Sequence, residues 1–590
     1  MHQPTEPAKL ATQPNKLPSI LFWLIVSAAT LFGAFVLPFF FPLHQPVFSA
    51  AYTAGENNRV AAIAVAAISV FVAFLYSRFQ IGGRLTYSKS AAAEPSRLSP
   101  RFLWIGIASI AACTAVLGYV IVHHGTYYAD EGYFLTQLRS GIVFHRTIYR
   151  DFEFPYGPAL YFWPVIFIRT LAPFGVSMAA AYLVSVIAME ALGVGLLFYT
   201  INALPMRRGQ KVAAFVLLTF CAFDTLLGLN YAVLRCVLPF ATVALLTRQK
   251  NLRNAMIVAC LGELLQLTIS PELGFAFGTA AIVYGFYRAF SLDWKWLGVS
   301  IAAVAGGGIF VMFIGRAYFL SLHQYANGRD NLILEPQPFV LVFLVAVVAL
   351  APLAVASGWR DRNNTDGPNT GMLIALYVAT LCMLPVAFSQ CDPLHAFVNG
   401  VGAYLLSFIC INRVTEKKQR IWIAVVALTF AATQFQEFHA FRHEIVRALK
   451  NIPEPYDDPD VSAISREIGN KKVTFPWNKP PMQMMIGLTQ TGQYLPGYFS
   501  GFHGESNAAS EKRRIADMRA ADFALVPNGQ ALVYTPEIDN TGIKVWLRFG
   551  YRYKARQPPF YEYAMLMDEL MANWKPVGIY GPYTLYRKVR

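Results

Sequence analysis

The sequence predicts an α-helical polytopic membrane protein with a small C-terminal α/β domain outside the bilayer. Three observations carry this fold class. Of 590 residues, 55% are hydrophobic and only 14% charged, a balance typical of chains that meet lipid. Apolar runs long enough to cross a hydrocarbon core of about 30 Å as helices recur from residue 18 to residue 437. Beyond them, 438–590 turns polar and is long enough for an ordinary soluble domain.

Taken in order, the runs give about thirteen spanning helices: 18–41, 58–77, 102–122, 176–200, 213–228, 234–247, 254–269, 273–289, 296–315, 338–357, 371–388, 396–412 and 421–437. The apolar run Ile20–Phe41 exceeds the length of a signal-peptide core and is expected to remain as the first helix. The polar linker "GGRLTYSKSAAAEPSRLSPR" separates two helices from the rest. The chain therefore divides into an accessory helix pair with its linker (1–101), a transmembrane domain with a large outer loop at 123–175 (102–437), and a terminal domain (438–590).

Charge fixes the expected orientation. One set of alternate loops holds Arg84, Lys89, Arg97 and Arg101; Arg207, Arg208 and Lys211; Arg248, Lys250 and Arg253; Arg360 and Arg362; and Arg413, Lys417, Lys418 and Arg420. The short loops of the opposite set hold only Arg59, Arg235, Arg316 and Arg329. By the positive-inside rule the N-terminus is cytoplasmic and the C-terminal domain extracytoplasmic, with the protein in the inner (plasma) membrane. The same distribution explains the net charge of +15 without nucleic acid as a partner. All seven cysteines lie in or beside apolar runs and show no zinc-like spacing.

The outer loop is unusually charged, with Asp130, Glu131, Asp151 and Glu153 alongside Arg139, Arg146, Arg150 and Arg169. Within it, Phe134 and Leu138 stand four apart and Leu135 and Ile142 seven apart, which predicts a short amphipathic helix over Glu131–Ile142. "PYGPALYFWPVIFIRTL" predicts a second, interfacial or partly inserted helix. Other ionisable residues gather at the same side: Asp224, Glu263, Glu272 in "ISPELGF", Arg235 in "NYAVLRC", Arg316, His323, Arg329, and Asp392 with His395 in "SQCDPLH". Charges at such depth are costly unless they face a wet cavity or a partner, so one outward-open polar cavity is expected. Each also has a plainer reading: Asp130–Glu131 suits a helix N-terminus, and mid-helix Glu190 is expected to make a buried hydrogen bond within the bundle. Asp392 and His395 share a helix face and suit a substrate phosphate or hydroxyl better than zinc, for which no third ligand is evident.

The Asp130–Glu131 dyad, the short helix after it, and "YRDFEFPYGPALYFW" together resemble the lipid-dependent glycosyltransferases of the GT-C superfamily. The resemblance is to bacterial proteins like dolichyl-phosphate-mannose-protein mannosyltransferases and aminoarabinose transferases. "SQCDPLHAF" is similar to an Asp-Pro-x-His element in their relatives. The likeness covers 102–200 by motif and 201–437 by architecture. The chain departs in its two additional N-terminal helices and in "FPYGP", where several relatives carry a lysine before the prolines.

The resemblance implies transfer of a sugar from a polyprenyl-phosphate donor to an envelope glycan, lipid or protein acceptor, with inversion. Such transfer needs a base at the acceptor and fixed positive charge at the departing phosphate. The catalytic candidates are Asp130 as base, Glu131 to position the acceptor or Asp130 itself, and Asp151 as a secondary acid. Arg235, Arg316, Arg329 and His395 are candidates to hold phosphate, and Asp392, Tyr156 and Glu272 complete the substrate-binding set. These residues fix no cofactor, and a divalent cation stays open. The rival functions are a multi-pass transporter, which would place coupling groups near the midplane of inverted repeats, and a non-catalytic envelope polysaccharide assembly protein, in which Asp130 would be dispensable.

In the terminal domain "KKVTFPW", "DFALVPN", "GIKVWLRF" and "YTLYRKVR" predict strands and "ASEKRRIADMRA" a helix. The domain is expected to cover the outer face or bind the acceptor.

Overall fold

The computed structural model describes residues 16–41, 56–79, 97–124, 129–143, 145–152, 154, 156–221, 228–319, 334, 336–360, 370–389, 393–411, 416–450, 459–475, 508–527, 568–581 and 583–589. The helices are α1 (Lys16–Phe35), α2 (Asn58–Phe79), α3 (Pro100–His124), α4 (Ala129–Ile142), α5 (Pro158–Leu171), α6 (Met178–Ala203), α7 (Arg208–Cys221), α8 (Val233–Thr247), α9 (Leu252–Ile269), α10 (Pro271–Ser291) and α11 (Leu297–Ile314). They continue as α12 (Pro338–Arg360) and α13 (Thr370–Ser389), then α14 (Pro393–Asn399), α15 (Val401–Ile411), α16 (Glu416–Leu449), α17 (Pro459–Ile468) and α18 (Ala508–Arg519).

The protein is a polytopic membrane protein. Eight described helices are long and apolar enough to cross a bilayer, and they coincide with eight of the expected spans. Four shorter apolar helices accompany them. α15 is short because Gly400 divides the expected span 396–412 into α14 and α15, while α5 begins at Pro158 and runs on through Pro164. The expected span 421–437 is part of the longer α16. Within α12, Ala346–Leu350 winds as π-helix just before Pro352, whose missing N–H removes one rung of the ladder.

The short helices α8 and α15 are buried on nearly every side, as predominantly apolar helices at a bundle centre should be. The outer helices turn residues such as Phe290, Met312 and Phe313 outward, where lipid replaces water as their solvent. The N-terminal pair joins this apolar core: Ser69 bonds the Val347 carbonyl at 2.7 Å and the Tyr377 hydroxyl at 2.6 Å, and the Asn58 amide donates to the Phe388 carbonyl at 2.7 Å.

Beyond α16 lies a four-stranded sheet of order β1-β2-β4-β3, with β1 (Val473–Thr474) parallel to β2 (Phe523–Pro527). The strands β3 (Trp574–Tyr580) and β4 (Tyr583–Lys588) form an antiparallel hairpin that turns at Gly581 with φ 57°. Val461, Ile464, Met518 and Leu585 belong to its separate apolar core. Of the expected strands, "GIKVWLRF" lies outside the described residues. The edge strand β3 was not expected because Pro576 interrupts its pattern. Proline is tolerated there because a register shift falls at Pro576–Gly578 on the sheet edge. Arg146, in the segment joining α4 and α5, donates to Asp517 of α18 at 3.2 Å, so the terminal domain contacts that segment.

Candidate functional site

The site is built on three helix ends. Residue Arg235 occupies the first turn of α8, where helix-end amides disfavour a cation. It is held there, 7% exposed, by an ion pair to Glu272 and a bond to the Asn230 carbonyl. Glu272 sits in the first turn of α10, directly after Pro271, which is suited to a first helical position. A carboxylate there is favoured by the N-terminal amides as well as by Arg235. The ring of Tyr156 covers the guanidinium at 5.2 Å, a cation–π contact. Three expected substrate-binding residues, Tyr156, Arg235 and Glu272, therefore meet in one place.

"FPYGP" accounts for the position of Tyr156. The Gly157 amide donates to the Ile269 carbonyl at the end of α9, at 2.9 Å. A Cβ on Gly157 would lie 2.2 Å from the Thr268 carbonyl oxygen, so only glycine permits this docking. Upstream, the Tyr149 hydroxyl donates to the Tyr156 carbonyl at 2.8 Å. Tyr149 itself has φ 66°, a left-handed conformation uncommon outside glycine, and packs edge-to-face on buried Tyr318 at 5.0 Å.

The expected helix at Glu131–Ile142 is present as α4. Its Phe134 and Leu138 are buried, and Phe134 stacks on Tyr156 at 6.1 Å and on Tyr182 at 6.2 Å. Asp130 and Glu131 occupy the second and third positions of α4, one turn before Phe134; their side chains lie outside the described residues.

Asp151 lies in the same loop with both carboxylate oxygens engaged. Arg150 donates to them at 2.9 and 3.0 Å, and the Thr147 amide donates to Oδ2 at 2.7 Å. The Arg150 hydrogen bond foremost holds the Asp151 pKa below the usual carboxylate range. This arrangement closes the turn 147–151. Arg316 is exposed after α11 and makes no ion pair among the described residues. The backbone carbonyl of His395 accepts from Asn399 in α14 at 3.0 Å. Arg329, Asp392, Glu153, Asp224 and His323 lie outside the described residues.

Other residues complete the site. Glu190 of α6 is buried, and its Oε2 accepts the Val233 amide at the start of α8, at 3.1 Å. Its expected buried bond is thus made to a helix end. Beside it, a Cβ on Gly193 would lie 2.2 Å from the Leu234 nitrogen. These contacts join residues about forty positions apart, beyond the reach of periodicity. Arg235 Nε and the Tyr318 hydroxyl are buried N–H and O–H donors with no hydrogen-bond partner among the described residues. Desolvation raises the Tyr318 pKa, so the hydroxyl stays a neutral donor. Among the described residues no group of three or more His, Cys, Asp or Glu is placed to hold a metal.

No protein-family model matches the chain, and no curated protein matches it. Among solved structures, the chain is similar to ArnT from Cupriavidus metallidurans in the apo state, at 12% identity and TM-score 0.45 over 83% of this chain and 99% of that one. It is similar to the same protein bound to undecaprenyl phosphate, at 11% identity and TM-score 0.46 over 82% and 98%. It is also similar to the arabinofuranosyltransferase AftD from Mycobacteria, at 13% identity and TM-score 0.42 over 86% of this chain and 41% of that one.

Proposed function

We propose that this chain is an inverting glycosyltransferase that moves a sugar from a polyprenyl-phosphate donor to an acceptor hydroxyl on the extracytoplasmic face. The observation that carries the reading is the buried Arg235, fixed by Glu272 and covered by Tyr156, next to the helix that bears Asp130 and Glu131. An unpartnered buried donor costs about 1–3 kcal/mol. A phosphate oxygen would satisfy Arg235 Nε and the Tyr318 hydroxyl, both buried without partners among the described residues. The ion pair with Glu272 offsets the Arg235 charge, so Arg316 and Arg329 supply the further positive charge the phosphate needs.

In this reading Asp130 takes the acceptor's hydroxyl proton and Glu131 positions it. The acceptor oxygen attacks the anomeric carbon from the face opposite the phosphate. The carbon–oxygen bond to phosphate breaks, and polyprenyl phosphate leaves with the electron pair. Asp151 shapes the loop that presents Tyr156, His395 is a further phosphate contact, and Asp392 binds substrate beside it. An apolar helix bundle suits a carrier whose tail must stay in lipid.

The test uses the purified protein in lipid, a panel of labelled polyprenyl-phosphate sugars and an envelope extract as acceptor. Acceptor-dependent label transfer with release of polyprenyl phosphate is expected, and Asp130→Asn should lose it while inserting normally. Equal turnover in both proteins would remove Asp130 as base. Inertness toward every donor, with protein that binds none of them, would sink the transferase reading.

A further inference from the structure

We propose that Glu263 and Gln266 form a binding site for a small monovalent cation inside the membrane domain, between α9, α10 and α11. The proposal stands on packing and is independent of the transferase reading.

Both residues lie on one face of α9, three positions apart. Glu263 is 7% exposed and Gln266 0%. Neither Glu263 Oε2 nor either amide atom of Gln266 has a hydrogen-bond partner among the described residues. No described Lys, Arg or His forms an ion pair with Glu263. A buried carboxylate without a counter-charge is costly in a membrane domain unless it takes up a proton or a cation.

The facing helices meet it with glycine. A Cβ on Gly278 of α10 would lie 2.7 Å from Oε2, and one on Gly274 would lie 3.3 Å from Oε1. On α11, a Cβ on Gly306 would lie 3.1 Å from the Glu263 Cβ and one on Gly307 3.9 Å from Oε1. The carboxylate oxygens are thus seated against Gly278 and Gly274, where a larger residue would displace them.

The donors select the ligand. A carboxylate and a carboxamide oxygen are hard ligands, suited to an alkali or alkaline-earth ion rather than a soft transition metal. The single carboxylate balances one positive charge. A divalent ion would leave net charge in a medium of low dielectric constant.

The experiment is thermal unfolding of the intact protein in nanodiscs, with NaCl exchanged for choline chloride at constant ionic strength. The wild type should show a saturating rise in Tm with Na⁺, about 2–4 °C. The rise should vanish in Glu263→Gln and in Gly278→Ala, whose added methyl displaces the carboxylate. An equal Tm in both salts, or a Na⁺ shift that persists in Glu263→Gln, would overturn the site. Should those variants not fold, carbodiimide labelling of wild-type Glu263 decides: protection by Na⁺ supports the proposal, and labelling unchanged by Na⁺ refutes it.

Discussion

The carboxylate of Glu190 closes the N-terminus of α8 by accepting the Val233 amide at 3.1 Å, two residues before Arg235. A side chain from the middle of α6 therefore supplies the cap that α8 lacks locally, since Ala232 at its N-cap has no side-chain oxygen. Glu190→Gln keeps an acceptor and should leave stability and donor KM within about twofold of wild type. Glu190→Leu leaves the buried amide unsatisfied at a cost of about 1–3 kcal/mol. It should lower Tm and raise the donor KM about tenfold, because Arg235 loses its register. A fall in Tm with unchanged KM would confine Glu190 to stability.

Arg235 and Glu272 should behave as one unit. Removing either partner leaves the other charge buried and unpaired, a loss of about 3–5 kcal/mol. Arg235→Met combined with Glu272→Leu removes both charges and should recover much of that loss in a denaturation series. On the proposed transferase reading, activity should stay absent, since the guanidinium offered to the phosphate is gone. Additive losses in the double variant would mean that the two side chains do not interact.

Gly157→Ala places a methyl 2.2 Å from the Thr268 carbonyl oxygen, a backbone atom that cannot rotate away. The loop must lift from α9, breaking the bond to Ile269 and withdrawing Tyr156 from Arg235. A destabilisation of about 1–3 kcal/mol is expected, with a larger fall in activity than in Tm. Wild-type activity in Gly157→Ala would show that Tyr156 need not be held.

Much of the fold was legible because spanning helices are dictated by length and hydropathy: α2, α3, α6 and α9–α13 answer directly to apolar runs. The amphipathic α4 was equally legible from Phe134 and Leu138. Tyr156, Arg235 and Glu272 could each be singled out as unusual polar or aromatic residues near one membrane face, but their meeting could not. It depends on Gly157 docking against α9 and on Glu190 capping α8, contacts between distant segments that leave no periodic trace. Asp151 shows the reverse limit. Its charge stood out in the sequence, whereas only the fold reveals that Arg150 and the Thr147 amide occupy both of its oxygens. In the terminal domain β3 was concealed by Pro576, which an interior strand would exclude and an edge strand accepts.

The terminal domain should loosen in acid through Glu569. Arg519 donates to both of its carboxylate oxygens, at 3.0 and 2.6 Å, tying the end of α18 to the segment that leads into β3. The Arg519 hydrogen bond is the largest cause holding the Glu569 pKa below its ordinary value. A carboxylate whose pKa is depressed by folding binds fewer protons folded than unfolded. Its contribution is therefore complete above the ordinary glutamate range of about 4.3 and is lost as pH falls through the lower folded value. Hydrogen exchange of the full-length protein in lipid, followed across β2, β3 and β4 from pH 6 downward, should show protection falling through that window. Glu569→Gln should exchange faster than wild type at pH 6, and the two should converge as the wild-type carboxylate protonates. A difference that stays constant with pH would show that the pair contributes through packing rather than charge.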